Sequence, residues 1–293
     1  VKYYNAGFLP PTEPKMFVDM FAGSCVMSLW VRQLWPDMPI IINDLNSEMI
    51  QMYTEISKNL DSFLTHFKNY VDSYSIHVSI EDRKSFYYEL RDIYRFFEGG
   101  SKTQESALLL FLLKTNFNGI WQPMKASGGR HASPAGNMKS HPTSKVFQTK
   151  DIVRFSEFLN TCIITCESYE STVKWVNKDV WMYADPPYRI SHATYKAAGQ
   201  FDDEDQVELI DFLKSSSKRG SYIALSNREH LDDAKIKWNM SSQGRDWISG
   251  GFFGPHFPES KYTMTMFTGH KYTAGRHNSG QGAKSTEVLI KNY

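Results

Sequence analysis

The sequence predicts an α/β protein: an open, mainly parallel sheet with helices on both faces, interrupted by an inserted, mainly helical segment. Three observations predict it. Short strand-like apolar runs at Met16–Met20, Ile40–Ile42, Val180–Ala184 and Ser221–Leu225 alternate with helical patterns. The first three of these runs lead into turn-forming or acidic residues, at the strand ends where open α/β sheets bind ligands. A long helical and loop-like interval then separates the second run from the next clear strand, near Thr161–Cys166.

Val1 to Lys15 is irregular, with three prolines and no periodicity. Met16–Met20 gives a short strand. Phe21-Ala22-Gly23-Ser24-Cys25 follows, then Val26, Leu29, Trp30 and Leu34 at helical spacing. Strand, tight small-residue turn and helix bring backbone N–H groups close to a ligand. With one glycine, the turn is equally compatible with a plain strand–helix junction. Ile40-Ile41-Ile42 is a second buried strand, ending in Asn43-Asp44. Asp44 lies about twenty residues past the turn, where nucleotide-binding βαβ units place an acid on ribose hydroxyls. Helix capping is the other reading, since Asn46 and Ser47 lead into Met49, Ile50, Met52, Tyr53 and Ile56.

Residues 60–113 read as helical. Phe86, Leu90, Ile93 and Phe97 recur at helical spacing, and Gly99-Gly100 stops that helix. Ala107–Leu113 is apolar on nearly all sides and is expected to be buried. Thr115–Ser144 differs: it carries T-N-F-N-G-I-W-Q-P and S-G-G-R-H-A-S-P-A-G-N. Amides and Arg can read base edges and phosphates, and aromatic rings can stack on bases. Residues 59–150 are therefore assigned to an inserted domain, with 1–58 and 151–293 forming the sheet domain.

Val180-Trp181-Met182-Tyr183-Ala184 suits a central strand. Pro186 and Pro187 cannot donate to a ladder, so the strand stops before them. Pro186 also keeps Asp185 out of helical geometry. The result is a stiff loop holding a carboxylate, fixed carbonyls and the Tyr188 ring at a strand's carboxyl end. Asp202, Asp203, Glu204 and Asp205 suit the first turn of a helix over Gln206–Ser215, and read as capping rather than metal ligands. Ser221–Leu225 ends in Ser226-Asn227, and β-rich segments around Tyr262–Thr268 and Val288–Ile290 close the chain.

The chain has 293 residues, 41% hydrophobic and 14% aromatic, which describes a soluble globular protein with a sizeable core. No apolar run approaches a membrane span and no secretory signal is visible. Cys25, Cys162 and Cys166 are too few and too irregularly spaced for a disulfide framework or a four-ligand zinc site, so a reducing cytoplasm is the expected setting. A G-x-G-x-x-G fingerprint is absent, which disfavours a dehydrogenase. Net charge is +1, but its distribution is uneven. Between Lys114 and Lys150 there are Lys114, Lys125, Arg130, Lys139, Lys145 and Lys150, and no acid. Ser260–Thr286 holds Lys261, Lys271, Arg276 and Lys284, again with no acid. These stretches could form a basic groove; solvated Lys-rich loops are the alternative.

Taken together, the motifs resemble the alpha class of S-adenosylmethionine-dependent DNA adenine-N6 methyltransferases, which includes the bacterial GATC adenine methylase. The resemblance runs from about Met16 to Tyr293. Phe21–Cys25 stands at the cofactor motif F-x-G-x-G, Asp44 at the acid after the second strand, and Lys114–Trp121 at the N-x-F-N-G stretch. Asp185-Pro186-Pro187-Tyr188 matches the catalytic motif. Tyr195, Phe201, Asp205-Gln206, Ser226-Asn227 and the closing E-V-L-I-K-N fall at further family positions. Two departures stand out. Cys25 replaces the second glycine of the turn, where a side chain would crowd the bound methionine. Tyr4-Asn5-Ala6-Gly7, followed by Phe8, matches the family's aromatic-x-G-G-K stretch only faintly.

The resemblance implies a Rossmann-like methyltransferase sheet with an inserted target-recognition domain. It implies S-adenosylmethionine as cofactor and double-stranded DNA as partner, with no metal and no membrane. Cofactor contacts would come from Asp19, Phe21, Ala22, Gly23, Ser24, Cys25, Asp44, Asp185 and either Glu167 or Ser168. DNA contacts would come from Lys114, Asn116, Asn118, Trp121, Lys125, Arg130, Lys139 and Arg276. Asp185 and the Pro186 carbonyl would accept the two N–H bonds of a flipped adenine, and Tyr188 would stack on the base. The alternatives are a nucleic-acid-binding protein that keeps the fold without catalysis, and the same chemistry on RNA adenine or cytosine N4. The acid at Asp185 favours adenine over cytosine.

Overall fold

The computed structural model describes residues 8–123, 130–139, 144–188, 201–229, 252–271 and 284–293. Among them are β1 (Met16–Asp19), β2 (Ile40–Asn43), β3 (Cys162–Thr165), β4 (Val180–Ala184), β5 (Tyr222–Glu229), β6 (Thr263–Lys271) and β7 (Lys284–Lys291). They form one seven-stranded sheet in the order β3-β2-β1-β4-β5-β7-β6. β2, β1, β4 and β5 run parallel, and β7 is antiparallel to both β5 and β6. The chain steps outward from β1 to β2 and later returns to β4 on the other side of β1. Connections diverge there, so the carboxyl ends of β1 and β4 border the crevice that ligands use in such sheets.

Alternating side chains make both faces of the sheet apolar. Val18, Met182, Ala184, Ile223 and Leu225 pack with Leu209, Ile210 and Leu213 of α7 (Asp203–Lys218) and with Phe253 and Phe257. The intervening residues build an aromatic face. The Trp181 ring lies 4.9 Å from Phe17 and 5.4 Å from Phe8, and Phe8 lies 5.7 Å from Trp30 of α1 (Val26–Leu34). Period-two patterning thus gives each face its own helix partner.

The chain divides into two compact units. Among the described residues, one comprises 8–43, 167–188, 201–229, 252–271 and 284–293; the other comprises 44–123, 130–139 and 144–166. The second unit is mainly helical, with α2 (Ser47–Lys58), α3 (Leu60–Ser75), α4 (Ile80–Arg95), α5 (Lys102–Thr115) and α6 (Lys150–Leu159). Asn46, Ser79 and Ser101 cap α2, α4 and α5 through side-chain oxygens that accept backbone N–H groups. α5 buries Ala107, Leu108, Leu109, Phe111 and Leu112 because α2, α3 and α4 surround it.

α4 corrects one expectation. Its buried stripe is Tyr87, Leu90 and Tyr94, whereas Ile93 is 47% exposed and the helix ends at Arg95, before Phe97. The tyrosines hold the core positions because their hydroxyls find acceptors. Tyr87 donates to the Ser133 carbonyl and Tyr94 to Glu48, each at 2.8 Å. No described helix is long and apolar enough to cross a membrane.

Candidate active site

Asp185 follows β4 directly. The loop Asp185–Tyr188 has no backbone donor at Pro186 or Pro187, so it must be held from outside. Ser226 Oγ donates to Asp185 Oδ1 at 2.8 Å, and Tyr183 Oη lies 3.0 Å from Ser226 Oγ. Gln206 Nε2 donates to the Pro187 carbonyl at 2.9 Å. Asn227 Nδ2 donates to Gln206 Oε1 at 3.0 Å. Sequence reading marked Gln206, Ser226 and Asn227 by position alone; the structure gives each a partner.

The acids before Gln206 do cap α7. Asp202 Oδ1 accepts from the N–H groups of Glu204 and Asp205, and Asp202 N–H donates to Asp205 Oδ2 at 2.8 Å. This reciprocal box fixes the turn that carries Gln206.

The Asp185 side chain is open to solvent, with protein atoms close around it. Lost hydration pushes its carboxyl up to about 6, against the opposing hydrogen bonds from Ser226, Tyr188 and Tyr183. The charge of Glu287 adds to the upward shift.

The turn after β1 emerges beside this loop. Asp19 pairs with Tyr183 across the parallel ladder, and Met20 N–H donates to the Tyr183 carbonyl at 3.0 Å. Gly23 has φ +48°, and a Cβ placed there would meet nothing within 4 Å, so the turn has an open side. Cys25 sits at φ 58° and ψ 20°, the left-handed region a glycine enters without cost. Its side chain is wholly buried. Cys25→Gly is therefore expected to change stability by no more than about 1 kcal/mol, since relief of strain offsets lost packing. Cys25→Val should cost more than ~2 kcal/mol, because a β-branched residue is strained there. Urea unfolding of the two variants checks this, and equal losses would contradict it.

Asp19 is buried and accepts from Ser28 Oγ at 2.6 Å. Phe21 forms an aromatic wall with Tyr169 (5.5 Å) and Phe201 (5.8 Å). Asn43, unmarked in sequence reading, joins the neighbouring strand end to this region. Its Nδ2 donates to the carbonyls of Met20 (3.1 Å) and Glu167 (3.0 Å), and its Oδ1 accepts from Glu167 N–H. Glu167 and Ser168 are both exposed, and Glu167 pairs with Lys174 at 2.7 Å. In the second unit, Asp44 Oδ1 accepts from Asn46 N–H at 2.8 Å, and Asn46 rather than Asp44 caps α2.

The second unit holds most of the residues expected to meet DNA. Asn116 pairs with Ala135, and Pro123 with His131, so these two stretches run antiparallel. Gly136 is required there: a Cβ would lie 2.7 Å from the carbonyl oxygens of Thr115 and Asn116. Asn116 is buried, and its Nδ2 donates to the Ile120 carbonyl at 2.8 Å. Asn118 stands exposed at φ 61°, beside Phe117, which is 50% exposed. Trp121 and Arg130 turn inward instead. Glu48 accepts from Trp121 Nε1 at 2.7 Å and from Arg130 Nε at 3.2 Å, and Arg130 also pairs with Glu105. The Arg130 guanidinium lies 4.4 Å from the centre of the Tyr94 ring. Lys114 is half-buried, which lowers its pKa, while Lys139 is exposed. Tyr4–Gly7, Lys125, Tyr195 and Arg276 lie outside the described residues.

The family model for D12 class N6 adenine-specific DNA methyltransferases matches residues 8–264. The chain is 26% identical over 223 residues to the type II methyltransferase M.MjaIII of Methanocaldococcus jannaschii, covering 74% of this chain and 75% of that protein. It is 25% identical over 298 residues to the type II methyltransferase M1.LlaDCHI of Lactococcus lactis subsp. cremoris, covering 98% and 89%. A DNA adenine methylase of Haemophilus influenzae is 25% identical over 211 residues, covering 67% and 68%. The family match contains the turn after β1, the loop after β4, Gln206 and Ser226, which hold that loop, and Asn227, which donates to Gln206. With a match across this span, the chain belongs to the D12 class of N6 adenine-specific DNA methyltransferases.

Proposed function

We propose that the protein moves a methyl group from S-adenosylmethionine to the N6 amino group of an adenine flipped out of double-stranded DNA. In this reading residues 59–150, within the second compact unit, carry target recognition. The observation that carries the proposal is the Asp185 carboxylate, seated at the carboxyl end of β4 and held by Ser226.

The residues around the β1 turn suit the cofactor. The open side of Gly23 leaves room for it, the start of α1 offers backbone N–H groups, and Phe21 offers an aromatic wall. Asp44 is assigned the ribose hydroxyls on the family resemblance. When bound, S-adenosylmethionine supplies an electrophilic methyl group. The adenine amino group is a poor nucleophile, because its lone pair is delocalised into the ring. Asp185 and the Pro186 carbonyl accept its two N–H bonds and favour a pyramidal nitrogen with an available lone pair. Orientation and fixed dipoles then lower the barrier. The base must leave the duplex to be reached, and Tyr188 provides its stacking face.

Only the ionised carboxylate is a pure acceptor. With the Asp185 carboxyl at about 6, the single-turnover rate is expected to fall as pH drops through about 6 and to level off above it. A profile flat across that region would remove this carboxylate from the step. The reading as a whole is tested by incubating the protein with labelled S-adenosylmethionine and unmethylated DNA, then analysing nucleosides. N6-methyladenine supports it; label in RNA or in cytosine would move the substrate.

A further inference from the structure

We propose that Gln206 is a positioning residue for methyl transfer. Its buried side-chain amide, oriented by Asn227, holds the Pro187 carbonyl and so sets the direction of the peptides carrying the Asp185 carboxylate and the Pro186 carbonyl. The inference rests on the role given above to Asp185.

A loop with two successive prolines lacks two backbone N–H groups, so at Pro186 and Pro187 its main chain can be gripped only through carbonyls. Gln206 Nε2 grips the Pro187 carbonyl at 2.9 Å. An amide can rotate and present either end, so it needs orienting. Asn227 Nδ2 supplies that by donating to Gln206 Oε1 at 3.0 Å. Asn227 is oriented in turn, because its Oδ1 accepts from Arg228 N–H at 2.7 Å. The chain of bonds therefore runs in one sense, from β5 through α7 to the loop.

Gln206 is 1% exposed and Asn227 0%, so neither can touch a substrate. Two apolar side chains of similar shape would fill the same space without desolvating two amides, at the cost of the bonds now made to the Pro187 carbonyl and the Arg228 N–H. What the amides add is direction, and a misplacement of about 1 Å at a reacting group can cost about 100-fold in rate.

The test uses Gln206→Met, Asn227→Leu and the double variant, with Asp185→Ala alongside. It measures kcat, both KM values and urea unfolding on unmethylated DNA. Gln206→Met is expected to lower kcat about 100-fold and to lose stability, since it removes the bonds that the Asn227 amide and the Pro187 carbonyl make with Gln206. The double variant removes the buried Asn227 amide as well and should regain part of that stability, the Pro187 carbonyl still lacking its Gln206 donor, while kcat stays about 100-fold down. Recovery of kcat together with stability would overturn the proposal, because the pair would then be structural only. So would a loss confined to KM, or a double variant that does not fold. If Asp185→Ala keeps near-normal turnover, the reading of Asp185 fails first. If Asp185→Ala is inactive and the double variant is fully active, only the clamp fails.

Discussion

Asp185→Ala is expected to lower the single-turnover rate of methyl transfer by on the order of 10³-fold while leaving DNA affinity within a few-fold of the parent. The carboxylate is the one charged acceptor at the carboxyl end of β4 in the described loop, and it is already oriented by Ser226. Removing it takes away an acceptor for an adenine N–H and leaves the Ser226 and Tyr183 hydroxyls, 3.0 Å apart, facing a gap. Binding should survive because a carboxylate does not attract a phosphate backbone. Asp185→Asn should retain more activity than Asp185→Ala. Its amide oxygen can accept one N–H, although its NH₂ opposes the second. Rapid-quench transfer of label, with DNA binding followed by fluorescence anisotropy, separates the two effects. Near-normal turnover in Asp185→Ala would end its assignment as the group that meets the amino nitrogen.

Trp181→Ala should cost about 3–5 kcal/mol of stability, a large share of the roughly 5–15 kcal/mol typical of folded domains. Trp181 lies in the middle of β4, between β1 and β5, with no exposed surface. Its ring meets Phe8, Phe17 and Trp35, at centroid distances of 5.4, 4.9 and 6.3 Å. Alanine would leave a cavity between the sheet and the aromatic cluster that α1 covers, and the strand leading into Asp185 would lose its anchor on that face. Trp181→Phe keeps most of the ring volume and should cost less than half as much. Urea unfolding followed by far-ultraviolet circular dichroism measures both. A loss below about 1 kcal/mol in Trp181→Ala would show that the aromatic face collapses around the gap.

Some of this molecule is decided by neighbours in sequence. The apolar run Val180–Ala184 is wholly buried as a strand, and two prolines end it where the ladder would need donors. The acids at 202–205 cap α7, because their partners are N–H groups two or three residues away. The Phe21–Cys25 turn falls between β1 and α1 as local spacing predicts, and the left-handed backbone at Cys25 explains why a glycine is at home in that position.

Other features wait for contacts that spacing does not carry. Counting charges marks Arg130 as a free cation, but Glu48 and Glu105, 82 and 25 residues away, accept its hydrogen bonds. Trp121 meets the same Glu48 across 73 residues. The buried stripe of α4 goes to Tyr87 and Tyr94 because only tertiary structure supplies acceptors for their hydroxyls. Family position alone marks Gln206 in the sequence, and its task appears only when folding brings the Pro187 carbonyl and Asn227 to its two ends. Backbone preference acts within a few residues and is written along the chain. A side-chain hydrogen bond is set by where distant segments meet, so the sequence alone determined the strand, the turn and the Asp185–Tyr188 loop, and tertiary packing decided what holds them in place.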